Sequence, residues 1–209
     1  MDHAFRNGLI LDGTRDMKIQ KGLCILVHDG IIADIVPDTA DLDLSGYDVV
    51  DLHGRYILPG LINMHVHLAG NGKPQKKQRD NEKLVKNIMS TSLTRAIAYK
   101  MVAGFAKDEL LGGVTTIRTV GGLADFDTRL RDEIESGAKT GPRILAANQG
   151  ISVPGGHMAG SVAVAAASIP DALRQLEKSK EEKVDLIKLM ITGGVLDAKK
   201  KGEPGELKM

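Results

Sequence analysis

Tryptophan is absent from the sequence, and aromatic residues make up only 3% of its 209 residues. Any hydrophobic core must therefore be built from aliphatic side chains. Cys24 is the single cysteine, which excludes an intrachain disulfide and a cysteine-based zinc site. No apolar run approaches the roughly 20 residues that span a bilayer, and the first residues lack the apolar stretch of a signal peptide. These absences predict a cytoplasmic protein with no membrane partner.

An excess of either charge is also lacking, because 28 Lys and Arg residues are balanced by 27 Asp and Glu residues. The net charge of +1 gives no basis for a nucleic-acid partner. The apolar fraction of 42% and the charged fraction of 26% are ordinary for a globular protein. The composition therefore predicts a folded chain without indicating what it does.

Residues 1–57 have the pattern of short strands joined by tight turns. Clusters of β-forming residues alternate with turn signals, which are Asn7-Gly8, Asp12-Gly13 and Asp29-Gly30. We predict a small β-module over this range. Its three histidines fall at turns or strand ends and are predicted to be structural or exposed: His3, His28 and His53.

Residues 58–209 alternate strand-like and helical segments instead. Four strands are predicted, at 58–68, 114–120, 143–149 and 184–192, and glycines follow them. Residues 82–111 lack proline and space apolar residues as a helix does, so one helix or two are predicted there. A helix start is predicted at Ser168, and residues 69–81 are a polar loop. This order of elements is typical of parallel β/α units.

The first of these strands carries His65 and His67 on one face, because side chains alternate along a strand. The other face is apolar and is predicted to be buried; it consists of Ile62, Met64, Val66 and Leu68. Two neutral imidazoles roughly 7 Å apart along a strand can converge on one metal ion. A bare His-x-His triplet is more often satisfied or exposed, but the preceding Pro59-Gly60 turn and the apolar context favour a metal site.

Lys188 interrupts the fourth predicted strand, VDLIKLMIT. An unpaired lysine in an apolar strand is costly, because desolvation disfavours its charge. One interpretation is that Lys188 extends to solvent or pairs with a carboxylate such as Asp185. The other is that burial makes its amine neutral and reactive. A neutral amine can take up carbon dioxide and become a carbamate, which is an anionic ligand for metals.

The segment DLHGRYILPGLINMHVHL, residues 51–68, resembles the first barrel strand of the metal-dependent amidohydrolase superfamily. The resemblance extends over the whole chain, and it implies an α/β fold with a (β/α)8 TIM-type barrel and a small β-sandwich. We therefore expect residues 1–57 to form an N-terminal β-sandwich module. Residues 58–209 are then expected to form the first half of the barrel, strands 1–4.

The resemblance also implies which residues bind metal and substrate. His65, His67 and a carboxylated Lys188 match metal ligands of the binuclear members, in which the carbamate bridges two metals, so zinc is the expected cofactor. His157 follows the third strand in a Gly-Gly-His sequence. This sequence resembles the Xaa-Pro and Xaa-Arg dipeptidase-like branch, in which a histidine here helps to bind the carboxylate or the polarised carbonyl of the substrate. A polar surface residue is the alternative for His157.

The implied reaction is hydrolysis of an amide bond by a metal-activated hydroxide. The implied substrate is a small molecule or a dipeptide of the Xaa-Pro type; the alternative is a cyclic amide or a deaminase substrate, as in imidazolonepropionase-like enzymes. The histidines of strands 5 and 6 and the catalytic aspartate of strand 8 have no counterpart in this sequence. We therefore expect an incomplete and inactive chain, which forms a homo-oligomer or associates with a missing C-terminal half. A non-catalytic metal-binding fragment is the further alternative.

Overall fold

The computed structural model describes residues 1–72 and 80–191. The chain divides into two compact units, Met1–Pro59 and Gly60–Met209. In the described residues, no helix is both long enough and apolar enough to cross a membrane. The predicted loop at 69–81 and the predicted end of the fourth strand at 192 lie partly outside the described residues.

The first unit consists of six short strands. They are β1 (His3–Arg6), β2 (Leu9–Ile10), β3 (Leu23–His28), β4 (Ile31–Pro37), β5 (Asp48–Asp51) and β6 (Tyr56–Ile57). Four of them form a sheet in the order β4-β3-β1-β5, and β2 pairs with β6 in parallel. The predicted turn at Asp29-Gly30 joins β3 to β4. Both turn residues have positive φ, 48° and 78°, as the common two-residue hairpin turn requires.

The second unit alternates strands and helices, so the chain is of mixed α/β class. Its strands are β7 (Leu61–Val66), β8 (Val114–Thr119), β9 (Arg143–Leu145), β10 (Gly150–Ser152), β11 (Ala163–Ala165) and β12 (Leu189–Met190). Its helices are α1 (Asn81–Ile88), α2 (Ser92–Leu111), α3 (Phe126–Glu135) and α4 (Ile169–Glu181). The strands form two parallel sheets, β7-β8-β9 and β11-β10-β12.

The helices begin where capping side chains are available. The predicted segment 82–111 is two helices, because Thr91 starts the second one by accepting a hydrogen bond from the N–H of Thr94 at 3.1 Å. Ser168 caps α4 in the same way, as predicted. Asp125 precedes α3 but makes no capping hydrogen bond through its side chain. Helix starts were therefore predictable from short-range signals, although not every side-chain contact was.

The core of the second unit lies between β7, β8 and β9 and the helices α2 and α3. It is aliphatic apart from Tyr99 and Phe126, as the composition predicts, and it includes Val66, Leu68, Val102, Ala106, Ile117, Leu130 and Ile144. Burial of these side chains is the main stabilising contribution. This core packs against the sheet β7-β8-β9, and His65 and His67 lie at the carboxyl end of β7.

All four predicted strands are shorter than expected, and the third and fourth are the most reduced. The third strand is predicted over 143–149 but ends at Leu145, because the backbone of Ala146 makes its hydrogen bonds with Asp185. The Ala146 N–H donates to the carboxylate of Asp185 at 2.8 Å, and the Asp185 N–H donates to the Ala146 carbonyl at 2.8 Å. This connection replaces strand pairing, and the fourth strand is reduced to Leu189–Met190. The sequence does not predict the two short strands β10 and β11, which lie between the third and fourth predicted strands.

Candidate metal centre

The strand that carries the two histidines contains a bulge. Asn63 pairs with Ile117 and Val66 with Thr119, so Met64 and His65 together lie opposite Arg118. The Arg118 Nε donates to the Met64 carbonyl at 2.7 Å, and the His65 N–H donates to the Asn63 side-chain oxygen at 3.2 Å. Side chains therefore satisfy the backbone groups that the bulge removes from the ladder.

The bulge divides the strand into two parts with different burial. After it, Val66 and Leu68 are buried at 7% and 1% exposure, and the histidines lie on the other face. Ile62, which precedes the bulge, and Met64, which is part of it, are 63% and 48% exposed. The prediction that all four apolar residues are buried was therefore correct only for the second pair.

The ring nitrogens of His65 and His67 converge. Their Nε2 atoms lie 3.3 Å apart, and the two ring planes meet at 65°. The Nδ1 of His67 lies 3.0 Å from the carbonyl oxygen of Gly121. A carbonyl only accepts hydrogen bonds, so this contact assigns the proton of His67 to Nδ1 and leaves a lone pair on Nε2. A hydrogen bond from the distal nitrogen to a carbonyl is also what orients histidine ligands in metal sites. The two residues fit a metal ion.

The charges around His65 favour its neutral form. Partial desolvation lowers the pKa of His65 first, and the charges of His67, Lys188, Arg118 and His157 lower it further. A neutral imidazole is the form that binds a metal. Lys188 and His157 are therefore near enough to His65 to act on its pKa through their charges.

Gly121 leaves the space that the His67 ring occupies. Its φ is +140°, and a Cβ atom at this position would lie 3.2 Å from Cε1 and Nδ1 of the His67 ring and 3.3 Å from Cε of Met190. Contacts of that length are tighter than side chains ordinarily make. The glycine after β8 therefore brings its carbonyl to His67 without a clash.

Lys188 immediately precedes β12 and is half-buried, not enclosed within a long strand. Its carbonyl accepts a hydrogen bond from the Ile151 N–H at 2.8 Å, which fixes its backbone beside β10. Asp185, the ion-pair partner that the sequence suggests for Lys188, forms its ion pair with Arg131 instead, at 2.8 Å. The carboxylation of Lys188 stays a prediction.

His157 and the two strand histidines line one cleft of about 950 Å³. Much of the remaining lining is apolar and comes from Leu68, Leu84, Val85, Ile88, Met158 and Val162. A cleft with a few polar groups among apolar side chains is the usual form of a small-molecule site. The substrate-binding role of His157 stays a prediction.

The sequence does not identify several residues that contribute to this site. Arg118 bonds within the bulge, and the Gly121 carbonyl orients His67. Asn148 accepts the Gly122 N–H at 2.7 Å through its backbone carbonyl. The sequence predicts only that the Gly121-Gly122 pair ends a strand, and these two glycines are the local feature that marks the turn. No local sequence pattern identifies Arg118 or Asn148, because their contacts join distant parts of the chain.

A second group of possible ligands occurs in the first unit. Ligand atoms of Asp2, His28 and Asp29 lie within 4.8 Å of one another. The Nδ1 of His28 is 2.7 Å from the Asp2 carboxylate, and this contact is the largest cause that raises the pKa of His28. His28 and Asp29 are exposed, as predicted for His28. The ion pair between His28 and Asp2 explains why these residues lie together.

Comparison with known proteins identifies relatives of the chain. Residues 56–205 match the model of the amidohydrolase family. Imidazolonepropionase of Salmonella paratyphi A is 32% identical over 146 residues, which cover 59% of this chain and 36% of that protein. A solved Xaa-Pro dipeptidase with bound methionine is 26% identical with a TM-score of 0.75, over 98% of this chain and 50% of that one.

A prolidase solved with N-methylphosphonate-L-proline has a TM-score of 0.79 at 19% identity, and this likeness concerns the fold alone. It covers 99% of this chain and 51% of that one. The chain thus spans about a third of the curated relative and about half of the solved structures. The family match covers well over half of the sequence and includes both strand histidines. The chain belongs to the amidohydrolase family, whose members are enzymes that typically depend on a metal.

Proposed function

We propose that this chain supplies part of the metal centre of a hydrolase that cleaves amide bonds. The observation that carries the proposal is the convergence of two Nε2 atoms 3.3 Å apart, one of them on a ring held by a backbone carbonyl. A divalent metal at such a centre polarises a carbonyl and lowers the pKa of a water molecule. Zinc fits a site with imidazole ligands.

The residues of this chain have separate roles in the proposal. His65 and His67 hold the metal through Nε2, and the Gly121 carbonyl keeps the proton of His67 on Nδ1. Lys188 would supply a carbamate as an anionic metal ligand, formed when its neutral amine adds to carbon dioxide and releases a proton. His157, on the wall of the same cleft, binds the carbonyl or carboxylate of the substrate.

The fold that belongs to this function is a (β/α)8 barrel. In this proposal β7, β8, β9 and the β10–β12 region contribute its first four strands, and residues 1–57 belong to a β-sandwich. The parallel order of β7-β8-β9 and the likeness to solved amidohydrolases support this arrangement. Active sites of such barrels lie at the carboxyl ends of the strands, and His65 and His67 lie at that end of β7.

Two substrate classes are supported about equally. The solved Xaa-Pro dipeptidase favours a dipeptide, and the curated imidazolonepropionase favours a cyclic amide. We propose the dipeptide, because the Gly-Gly-His sequence at His157 resembles that of the dipeptidase-like members of the family. Assays with an Xaa-Pro dipeptide and with a cyclic imidazolone distinguish the two. If neither is hydrolysed by the metal-loaded protein, the chain is a metal-binding fragment that requires another chain.

Association with another copy or another chain is part of the proposal. Leu61 and Ile62 on β7 are 52% and 63% exposed, and β7 pairs with only one strand among the described residues. An exposed apolar edge strand favours pairing with a further chain. Analytical ultracentrifugation tests this, since a monodisperse monomer at micromolar concentration would contradict it.

The decisive experiment measures metal bound per chain. The 209-residue protein is freed of metal, equilibrated with Zn²⁺, gel-filtered and analysed for zinc. We expect binding that is lost in His65→Ala and His67→Ala. His53→Ala, an exposed histidine of the first unit, is the matched control and keeps its metal. Equal zinc in all four proteins would overturn the assignment of the centre.

The carbamate is tested separately with ¹³C-labelled bicarbonate. We expect a carbamate resonance in the zinc-loaded protein that is absent from Lys188→Ala. Lys180→Ala removes an exposed lysine of α4 and is the control that keeps the signal. If Lys188→Ala retains the resonance, Lys188 is not the carboxylated residue.

A further inference from the structure

The orientation of His67 depends on a turn that lies outside its own strand. The Gly121 carbonyl receives the Nδ1 proton of His67 at 3.0 Å. The next residue, Gly122, donates its N–H to the Asn148 carbonyl at 2.7 Å. The position of the Gly121 carbonyl is therefore tied to the backbone at residue 148.

The backbone of Asn148 has a conformation that few side chains accept. Its φ is +53°, in the left-handed region, which asparagine visits more readily than other residues with a Cβ. The residue is only 1% exposed. A buried backbone in this conformation needs contacts that hold it in place.

The side chain of Asn148 provides those contacts. Its oxygen accepts the Thr128 N–H at 3.0 Å, and its amide donates to the Thr128 hydroxyl at 2.9 Å. The same amide donates to the Glu182 carboxylate at 2.8 Å. One buried side chain thus connects the segment between β9 and β10 to the first turn of α3 and to the residue that follows α4. A buried amide with all these bonds made has little freedom to move.

We propose that Asn148 is a positioning residue of the metal centre, which holds the Gly121 carbonyl against His67 and so sets the tautomer and direction of that ring. This inference rests on the proposed function, because it assumes that His67 binds a metal. Outer contacts of this kind typically contribute about 10- to 100-fold to metal affinity.

The test compares Asn148→Gly with the unchanged 209-residue protein. Glycine accepts the left-handed backbone and keeps the carbonyl, so this variant removes only the side-chain anchors. Cobalt(II) affinity is measured by visible absorption, and the tautomer of His67 by ¹⁵N NMR of the metal-free protein. We expect Co²⁺ binding to weaken about tenfold or more, with the His67 signals moving from the Nδ1–H form toward a mixture of tautomers.

Ile144→Val is the control for general loss of stability. Ile144 is a buried residue of β9, 2% exposed, without a hydrogen bond to the turn, and its variant keeps the Co²⁺ affinity and the His67 tautomer. If Asn148→Gly does not fold, Thr128→Val removes one anchor and is expected to shift both readouts in the same direction.

The outcomes separate the two proposals. If His67→Ala binds Co²⁺ as tightly as the unchanged protein, the metal centre is wrong and the role of Asn148 is wrong with it. If His67→Ala loses binding while Asn148→Gly keeps both the affinity and the tautomer, the centre stands and only the positioning role of Asn148 is overturned.

Discussion

The carbonyl oxygen of Gly121 lies 3.0 Å from Nδ1 of His67, and the space between the two residues leaves no room for a Cβ atom. Gly121→Ala should displace the His67 ring and weaken zinc binding about tenfold. Alanine also strains the backbone at positive φ, by about 1–3 kcal/mol. Isothermal titration with Zn²⁺ and urea unfolding measure the two effects.

Gly137→Ala is the matched control for this variant. Gly137 follows α3 with a φ of +76°, and no atom lies within 4 Å of where its Cβ would be. It should lose stability through the same backbone strain and keep its zinc affinity. Equal zinc affinities in the two variants would contradict the role assigned to Gly121.

The buried carboxyl group of Asp127 should make the free energy of unfolding depend on pH. Its side chain is 1% exposed, and burial raises its pKa from 3.8 to about 6, while the Thr119 hydroxyl partly opposes the shift. Within the described residues, its Oδ2 atom has no hydrogen-bond partner. The folded state holds the proton more tightly than the unfolded state, so this group lowers the free energy of unfolding as pH rises from about 4 to about 6.

Asp127→Asn removes the titrating group and keeps the shape. The variant should gain stability relative to the unchanged protein as pH rises through this window, by about 3 kcal/mol at most, with no further change above about pH 7. Urea unfolding of both proteins from pH 4 to 7.5 measures the difference. A constant offset between the two curves would show that Asp127 does not titrate in this range.

The contacts of Arg131 should stabilise the connection between β9 and β12. Its side chain is 10% exposed; it bonds to the Asp185 carboxylate at 2.8 Å and to the Lys183 carbonyl at 2.9 Å. Arg131→Met should lower the free energy of unfolding by about 2 kcal/mol, because it leaves a partly buried carboxylate without its cation. Arg174→Met breaks an exposed Arg–Asp pair on α4 and should change stability by less than about 0.5 kcal/mol. Similar losses in the two variants would contradict this explanation.

The hydroxyl group of Tyr99 should make a smaller contribution to the free energy of unfolding. Its hydroxyl donates to Glu133 at 2.6 Å, and its ring contacts Phe126 edge-on at 5.3 Å between centroids. Tyr99→Phe keeps the ring contact and removes the hydrogen bond, so thermal unfolding should show a loss of about 1.5 kcal/mol. Tyr56→Phe, at an exposed position of β6, is the control and should lose almost nothing. A Tyr99→Phe variant as stable as this control would show that the hydrogen bond contributes no net stability.

Local patterns in the sequence determined much of the secondary structure and the choice of the first two ligands. The turn at Asp29-Gly30, the start of α4 at Ser168 and the strand 114–120 all follow from interactions between residues close in sequence. The His-x-His pair was identified in the same way, since alternation along a strand involves only neighbours. The lengths of β9 and β12 were not predictable, because Asp185 ends the pairing through contacts with Ala146 and Arg131.

The sequence by itself determined the family resemblance, the aliphatic core and the identity of His65 and His67 as candidate ligands, because these are properties of composition and of short motifs. Only the tertiary structure decided how the His67 ring is held. The Gly121 carbonyl, the Asn148 anchors and the bulge filled by Arg118 join residues that are 20 to 54 positions apart in the chain. Such contacts arise when the sheet and helices pack together, and no local pattern encodes them.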